Sequence, residues 1–212
     1  MPVSKPFSDG DLMSLVNFTA REITCKIVYY GPGRSGKTTN LQYIYGRVPE
    51  SRRGRMVSLA TQTDRTLFFD FLPLELGNIS GFSTKFQLYT VPGQSYYNAT
   101  RKLVLQGADG VVFVADSQAR RFDDNLESLQ NLQDNLLGQG VDIRQLPVVF
   151  QYNKQDLPHD LILSHEEMDD ALNFRAVSSF AADALQGNGV FETLRGISEI
   201  VLKRLAAGSP AA

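Results

Sequence analysis

Eight consecutive residues of the 212-residue chain could cradle a phosphate group. Gly31-Pro32-Gly33-Arg34-Ser35-Gly36-Lys37-Thr38 follows the order Gly, four residues, Gly-Lys-Thr. Glycines let the backbone wrap close to phosphate oxygens, so that the amides of the turn point inward and the helix N-terminus behind it adds positive potential. Lys37 then bridges terminal phosphates, and the Thr38 hydroxyl can ligate Mg²⁺. With Gly31, Gly33, Arg34, Ser35, Gly36 and Thr39, these two residues make up the phosphate-side set.

A phosphate loop does not choose a base, because every nucleotide presents the same phosphates. Asn153-Lys154-Gln155-Asp156 follows an apolar run and supplies the missing selectivity: an Asp there can accept two hydrogen bonds, from the N1–H and the exocyclic amine of guanine. Lys154 would cover the base plane with its stem and Asn153 would brace neighbouring loops. Four common polar residues before Pro158 could also be a plain polar turn, but their place after a strand, downstream of a phosphate loop, favours guanine. Asp183-Ala184-Leu185, ahead of Gly187-Asn188-Gly189, is expected to form a third base-side loop.

Hydrolysis of a bound triphosphate needs a positioned water and compensation for charge developing on the phosphoryl oxygens. Gln94 follows Pro92-Gly93, so the Gly93 amide could contact the terminal phosphate while the Gln94 side chain orients water. Arg65 stands beside Thr66 in a loop, where Thr66 could add an oxygen ligand to Mg²⁺ and Arg65 could act as an arginine finger in cis. A solvated loop arginine and a turn glutamine are the bland alternatives.

These residues need a sheet edge to gather them. Residues 23–30 form an apolar run into the phosphate loop, and 39–46 carry Leu41, Ile44 and Tyr45 at helical spacing. Residues 56–60 suit a short strand. Residues 66–74 and 82–91 read as two strands of a hairpin with its turn at 77–81. A helix near 97–106 precedes an unbroken apolar strand at 110–115. The helix at 119–137 places Leu126, Leu129, Leu132, Leu136 and Leu137 on one face, as core residues. A strand at 147–152, a helix from Ser164 capped with Glu167, a last strand at 175–179 and a final amphipathic helix from Val190 complete the series. Strands alternating with helices predict an α/β fold: a single phosphate-loop domain with a mostly parallel sheet of six or more strands, one antiparallel hairpin, and helices on both faces. The expected organisation is an N-terminal extension over 1–20, the domain over 21–206 and a tail over 207–212.

Composition sets bounds on this reading. Hydrophobic residues make up 42% and charged residues 21%, with a net charge of -2, so no electrostatic case exists for nucleic acid or an acidic membrane as main partner. The single cysteine, Cys25, falls in the first strand and fits a packed thiol in a reducing compartment. No apolar run is long enough to span a membrane, and no lipidation motif is present. A cytoplasmic protein is expected, reaching a membrane only through partners.

The stretches CKIVYYGPGRSGKTTNLQYIYG, TDRTLFFDFLPL, FQLYTVPGQ, DGVVFVADS and QYNKQDLP resemble a Ras-superfamily small GTPase, and within it the bacterial MglA group of mutual gliding-motility proteins, over roughly residues 17–206. The resemblance implies GTP or GDP with Mg²⁺ as cofactors and a polarity switch, concentrated at a cell pole, as the role. It implies a Roadblock-type, MglB-like partner that promotes hydrolysis and need not insert an arginine of its own. Arg65 and Gln94 carry over as the hydrolytic pair, and Thr38 and Thr66 as metal-side hydroxyls. Ras-like proteins generally have an Asp where this chain has Thr90; the MglA group shares its absence. Two other classes stay open: a guanine-nucleotide-dependent adaptor with negligible hydrolysis, and a phosphate-loop kinase, which Asn153–Asp156 and the lack of an arginine-rich lid weigh against.

Overall fold

The computed structural model describes residues 15–17, 19–59, 69–79, 81–94 and 97–208. Arg65 and Thr66 lie outside these residues, as do most of the N-terminal extension and positions 209–212 of the tail. The expected α/β architecture is present: one eight-stranded sheet with helices on both faces.

Its centre is β2 (Glu22–Tyr30), because nine residues with a continuous buried run at their C-terminal end can be flanked on both sides. On one side β2 pairs in parallel with β5 (Phe82–Thr90), which forms a hairpin with β4 (Phe69–Ile79). β3 (Val57–Leu59) closes that edge in antiparallel pairing with β4. On the other side lie β6 (Gly110–Asp116), β7 (Val148–Asn153) and β8 (Ser179–Ala182), all parallel. From the N-terminal extension, β1 (Leu15–Asn17) pairs antiparallel with the start of β2. The antiparallel hairpin is thus joined by two further short antiparallel pairings. The strand order switches direction at β2, so a crevice opens at its carboxyl end, where the phosphate loop leaves it.

Alternate residues of the central strands serve two cores. Cys25, Ile27, Tyr29, Val112 and Val114 pack with Leu41 and Ile44 of α1 (Lys37–Arg47) and with Val190, Leu194, Ile197 and Val201 of α5 (Val190–Gly208). Tyr30, Phe113, Phe150 and Tyr152 face α2 (Asn98–Leu105), α3 (Phe122–Leu137) and α4 (His165–Leu172). Cys25 is fully buried, and burial pushes its thiol up to about 12, as expected of a packed, unreactive thiol. Between the layers Gln151 exchanges two hydrogen bonds with Asn40 and donates a third to Thr193, tying α1, β7 and α5 through a satisfied buried amide pair. Ser164 and Glu167 form the expected capping box at α4.

Three local expectations are corrected. The turn expected at 77–81 is shorter, because β4 continues through Gly77, Asn78 and Ile79, opposite Thr84, Ser83 and Phe82. An irregularity between Glu75 and Gly77 takes up one extra residue, and Gly77 at φ +90° lets the strand resume its pairing. The last strand lies at Ser179–Ala182 instead of 175–179: the Asn173 side chain donates to the Val177 carbonyl (2.7 Å) and accepts from its amide (3.0 Å), satisfying groups that a ladder would otherwise pair. On α3, Leu129, Leu132 and Leu136 are core, but Leu126 is 39% and Leu137 72% exposed. Polar Asn125, Ser128 and Asn135 take buried positions on that helix.

Candidate functional site

The phosphate loop connects β2 to α1, the strand-to-helix context its sequence required. Lys37 turns back over it, donating to the carbonyls of Gly31 (2.9 Å) and Pro32 (2.6 Å). Burial, with the Arg101 charge second, pushes the Lys37 amine down to about 7, while Asp70 acts in the opposite direction. An anion arriving there would restore its charge. Gly36 holds φ +105° and has no room for a side chain: a methyl group would run into the Asn153 amide.

A cavity of about 490 Å³ opens beside this loop, bounded by Arg34, Gly36, Lys37, Thr38 and Thr39 on one wall and by Asp70, Thr90, Pro92 and Gly93 on the other. The structure therefore brings together five of the expected phosphate-side residues, with Gly93 facing them. Arg34 is exposed at φ +64°, whereas Ser35 is fully buried with its hydroxyl unpartnered. Gly33 and Gln94 border a second cavity of about 240 Å³ on the far side of Gly93, and Gln94 does not line the larger one.

Asp70 was not among the sequence candidates, yet among the described residues it is the carboxylate that lines the larger cavity. It is 8% exposed and accepts hydrogen bonds from the hydroxyls of Thr38 (2.6 Å), Ser58 (2.6 Å) and Thr90 (2.9 Å). The hairpin register sets it across from Thr90, whose hydroxyl also accepts from the Asp70 amide at 2.9 Å. A carboxylate thus faces position 90 from the neighbouring strand. A hard-oxygen set of one carboxylate and a threonine hydroxyl, in a cavity wide enough for phosphates and water, fits Mg²⁺ as phosphate sites hold it.

On the base side, Asn153 is the brace expected of it. Its amide nitrogen donates to the Ser35 carbonyl (2.7 Å) and its oxygen accepts from the Ala184 amide (2.8 Å), so one buried side chain links the phosphate loop to both base-side loops. Lys154 donates to the almost fully buried Asp116 at 2.5 Å, which fixes the direction of its stem. Asp156 is exposed. Asp183 accepts from the amides of Leu185 (3.0 Å) and Gln186 (3.2 Å), folding the third loop; Ala184 is buried within it and Leu185 is 74% exposed.

Two arginines also escaped the sequence reading. Arg121 donates to the Gly33 carbonyl at 2.9 Å and pairs with Asp124 at 2.6 Å. Arg101 is 3% exposed on α2 and donates to the carbonyls of Pro92 and Gly93. Its signal in the sequence is a charge at helical spacing from Val104 and Leu105, within an apolar stripe.

A phosphate loop, a guanine-type Asn-Lys-Gln-Asp loop and a mixed sheet with its switch point at the loop-bearing strand define a small GTPase of the Ras superfamily. The chain belongs to the ADP-ribosylation factor family, whose sequence model matches residues 12–201. It is 57% identical over 196 residues to the mutual gliding-motility protein MglA of Myxococcus xanthus (strain DK1622), a match covering 92% of this chain and all of that protein. ADP-ribosylation factor-like protein 6 of Caenorhabditis elegans is 25% identical, over 92% of this chain and 94% of its own length. Its Caenorhabditis briggsae counterpart is 27% identical, over 92% and 97%. Among the described residues, no helix is long and apolar enough to cross a membrane.

Proposed function

We propose that the protein is a GTP-binding switch that hydrolyses GTP to GDP and phosphate and whose output is nucleotide-dependent partner binding. The observation that carries this reading is the double bridge of Asn153, which makes the phosphate loop and the two base-side loops one continuous rim. Along it, Asp156 accepts from guanine, Lys154 lies across the base plane, and the backbones of Ala184 and Leu185 close the far side. The amides of Gly31, Gly33, Arg34, Ser35 and Gly36 receive the phosphates with Lys37 and Thr39.

Thr38 and Thr66 offer hydroxyl oxygens to Mg²⁺, and Asp70 holds the Thr38 proton so that the oxygen's lone pairs face outward. Mg²⁺, when bound, neutralises charge on the terminal phosphates. Gly93 senses the terminal phosphate through its amide, Gln94 orients the water and Arg65 supplies positive charge as hydrolysis proceeds. The triphosphate thereby ties the Thr66 loop to the Gly93 loop, and hydrolysis releases both.

The gliding-motility name of the Myxococcus relative supports a role in cell polarity or motility. A Roadblock-type, MglB-like partner is the activator this reading proposes. A decisive experiment denatures the purified protein and identifies the released nucleotide by chromatography. Guanine is expected; adenine, or equal partner affinity for the GDP and GTP-analogue forms, would overturn the switch. One observation favours the adaptor alternative: Gln94 borders the smaller cavity and not the phosphate cavity. Phosphate release in a single-turnover assay with partner present would exclude that alternative.

A further inference from the structure

Arg101 is a buried cation that no part of the proposed chemistry uses. It stands on α2, 3% exposed, and its guanidinium donates to neutral oxygens: Nε to the Pro92 carbonyl (2.9 Å), one terminal nitrogen to the Gly93 carbonyl (2.6 Å), the other to Asn131 on α3 (2.7 Å). Burying a charge among neutral acceptors is costly, and only well-formed hydrogen bonds offset it. Asn131 is itself fixed, accepting also from the Tyr30 hydroxyl (2.6 Å) and donating to Asn98 (3.1 Å), and the guanidinium lies over the Tyr30 ring. Arg101 is therefore anchored to β2 and α3, neither of which belongs to the loop it grips.

The consequence follows from peptide geometry. In a trans peptide, the carbonyl of one residue and the amide N–H of the next point in opposite directions. Arg101 lines the smaller cavity and is absent from the walls of the larger one, whereas Gly93 borders both. Drawing the Pro92 carbonyl toward Arg101 turns the Gly93 N–H the other way, toward the phosphate cavity. The second bond, to the Gly93 carbonyl, fixes the following peptide plane, which carries the Gln94 amide. Gly93 cannot relax backward either, since its α-carbon is packed so close to Gly33 that a methyl group there would collide with the Gly33 backbone.

We infer that Arg101 is a positioning residue for triphosphate recognition: by gripping two carbonyls from behind, it holds the Gly93 amide aimed at the site of the terminal phosphate. The inference rests on the guanine-nucleotide reading above. GDP has no terminal phosphate to meet that amide, so Arg101 adds selectivity for GTP and not general affinity. A backbone donor to a charged acceptor is a strong interaction. Misaiming it should cost GTP about tenfold to a hundredfold in affinity.

The test measures affinities of full-length wild type, Arg101→Met and Arg101→Lys for GDP and for a non-hydrolysable GTP analogue, both with Mg²⁺, alongside thermal melts. Arg101→Met is expected to lower the analogue-to-GDP affinity ratio by tenfold or more, with GDP affinity within threefold of wild type. Arg101→Lys, a point charge that lacks the planar fork, should keep the fold and still lower the ratio, by a smaller factor. A variant that loses both nucleotides in equal proportion, or neither, overturns the inference and leaves Arg101 a structural clamp. If Arg101→Met does not fold, Arg101→Lys decides by the same ratio. Wild type that binds no guanine nucleotide defeats the underlying reading instead, an outcome the wild-type arm shows separately.

Discussion

Replacing Asp70 by Asn tests the proposed Mg²⁺ site of a chain that has no acid at position 90. The side chain keeps its shape but loses its charge, and one of its two acceptor oxygens becomes a donor. In the native arrangement Thr38 and Thr90 both donate to Oδ2, and Ser58 donates to Oδ1. If the new amide nitrogen takes the Oδ2 place, its two N–H groups face the two hydroxyls and donate to both. The Thr38 oxygen then spends on that amide a lone pair that it would otherwise offer to the metal. Hydrogen bonds to charged groups are worth about 1.5–3 kcal/mol. The Mg²⁺-dependent part of nucleotide affinity should therefore fall by roughly ten- to a hundredfold. Affinity measured in chelator should stay within about threefold, because the amide cradle and Lys37 are untouched. Titrating a fluorescent GDP analogue with and without Mg²⁺ separates the two. Moving the acid across the strand pair, by Asp70→Thr with Thr90→Asp, should recover part of the loss, since the two positions face each other. An equal loss in chelator and in Mg²⁺ would refute the assignment and make Asp70 a structural knot of the hairpin.

Lys37 gives a pH signature. Its amine is pushed down to about 7 in the nucleotide-free protein, while an unfolded chain would keep it near 10.5. Between those values the unfolded state binds the extra proton, so stability of the nucleotide-free protein should rise with pH across that window. Phosphate binding requires the charged amine, so nucleotide affinity should fall by about tenfold per unit above pH 7. Calorimetry in buffers of different ionisation enthalpy should record proton uptake at pH 8, and none would contradict the buried-amine picture. Asp156→Asn should shift preference from guanine to xanthine nucleotides, since an amide donates where guanine needs an acceptor; unchanged GTP affinity would move the base site elsewhere. Arg65→Ala should slow single-turnover hydrolysis about a thousandfold, with or without partner, while GTP affinity holds. Normal rates in that variant with partner present would mean the finger comes from another chain.

Much of the site was legible because its signals are local. Gly31 to Thr38 must bend between a strand and a helix wherever the rest of the chain goes, and Asn153 ends a buried strand that Lys154 to Asp156 directly follow. What escaped depends on register or on partners distant in sequence. Asp70 looks like any strand acid until the hairpin sets it opposite Thr90. The same hairpin runs past its expected turn because an irregularity at Gly77 restores pairing, which no composition rule foresees. On α3, helical spacing correctly named Leu129, Leu132 and Leu136. It could not foresee that Asn135 would be buried beside the Tyr30 hydroxyl while Leu137 stayed exposed.

The sequence by itself determined that this chain folds as an α/β phosphate-loop domain of the small GTPase class. Strand and helix periodicity, glycine placement and the Asn-Lys-Gln-Asp loop are properties of short segments, and each is decided by backbone freedom and side-chain type within a few residues. Only the tertiary structure decided which charges reach the candidate site. Asp70, Arg101 and Arg121 reach it across 32, 8 and 88 positions of sequence, to Thr38, Gly93 and Gly33 respectively. Such contacts arise from sheet register and helix docking, which are set by the burial of both cores together, so no single segment carries them.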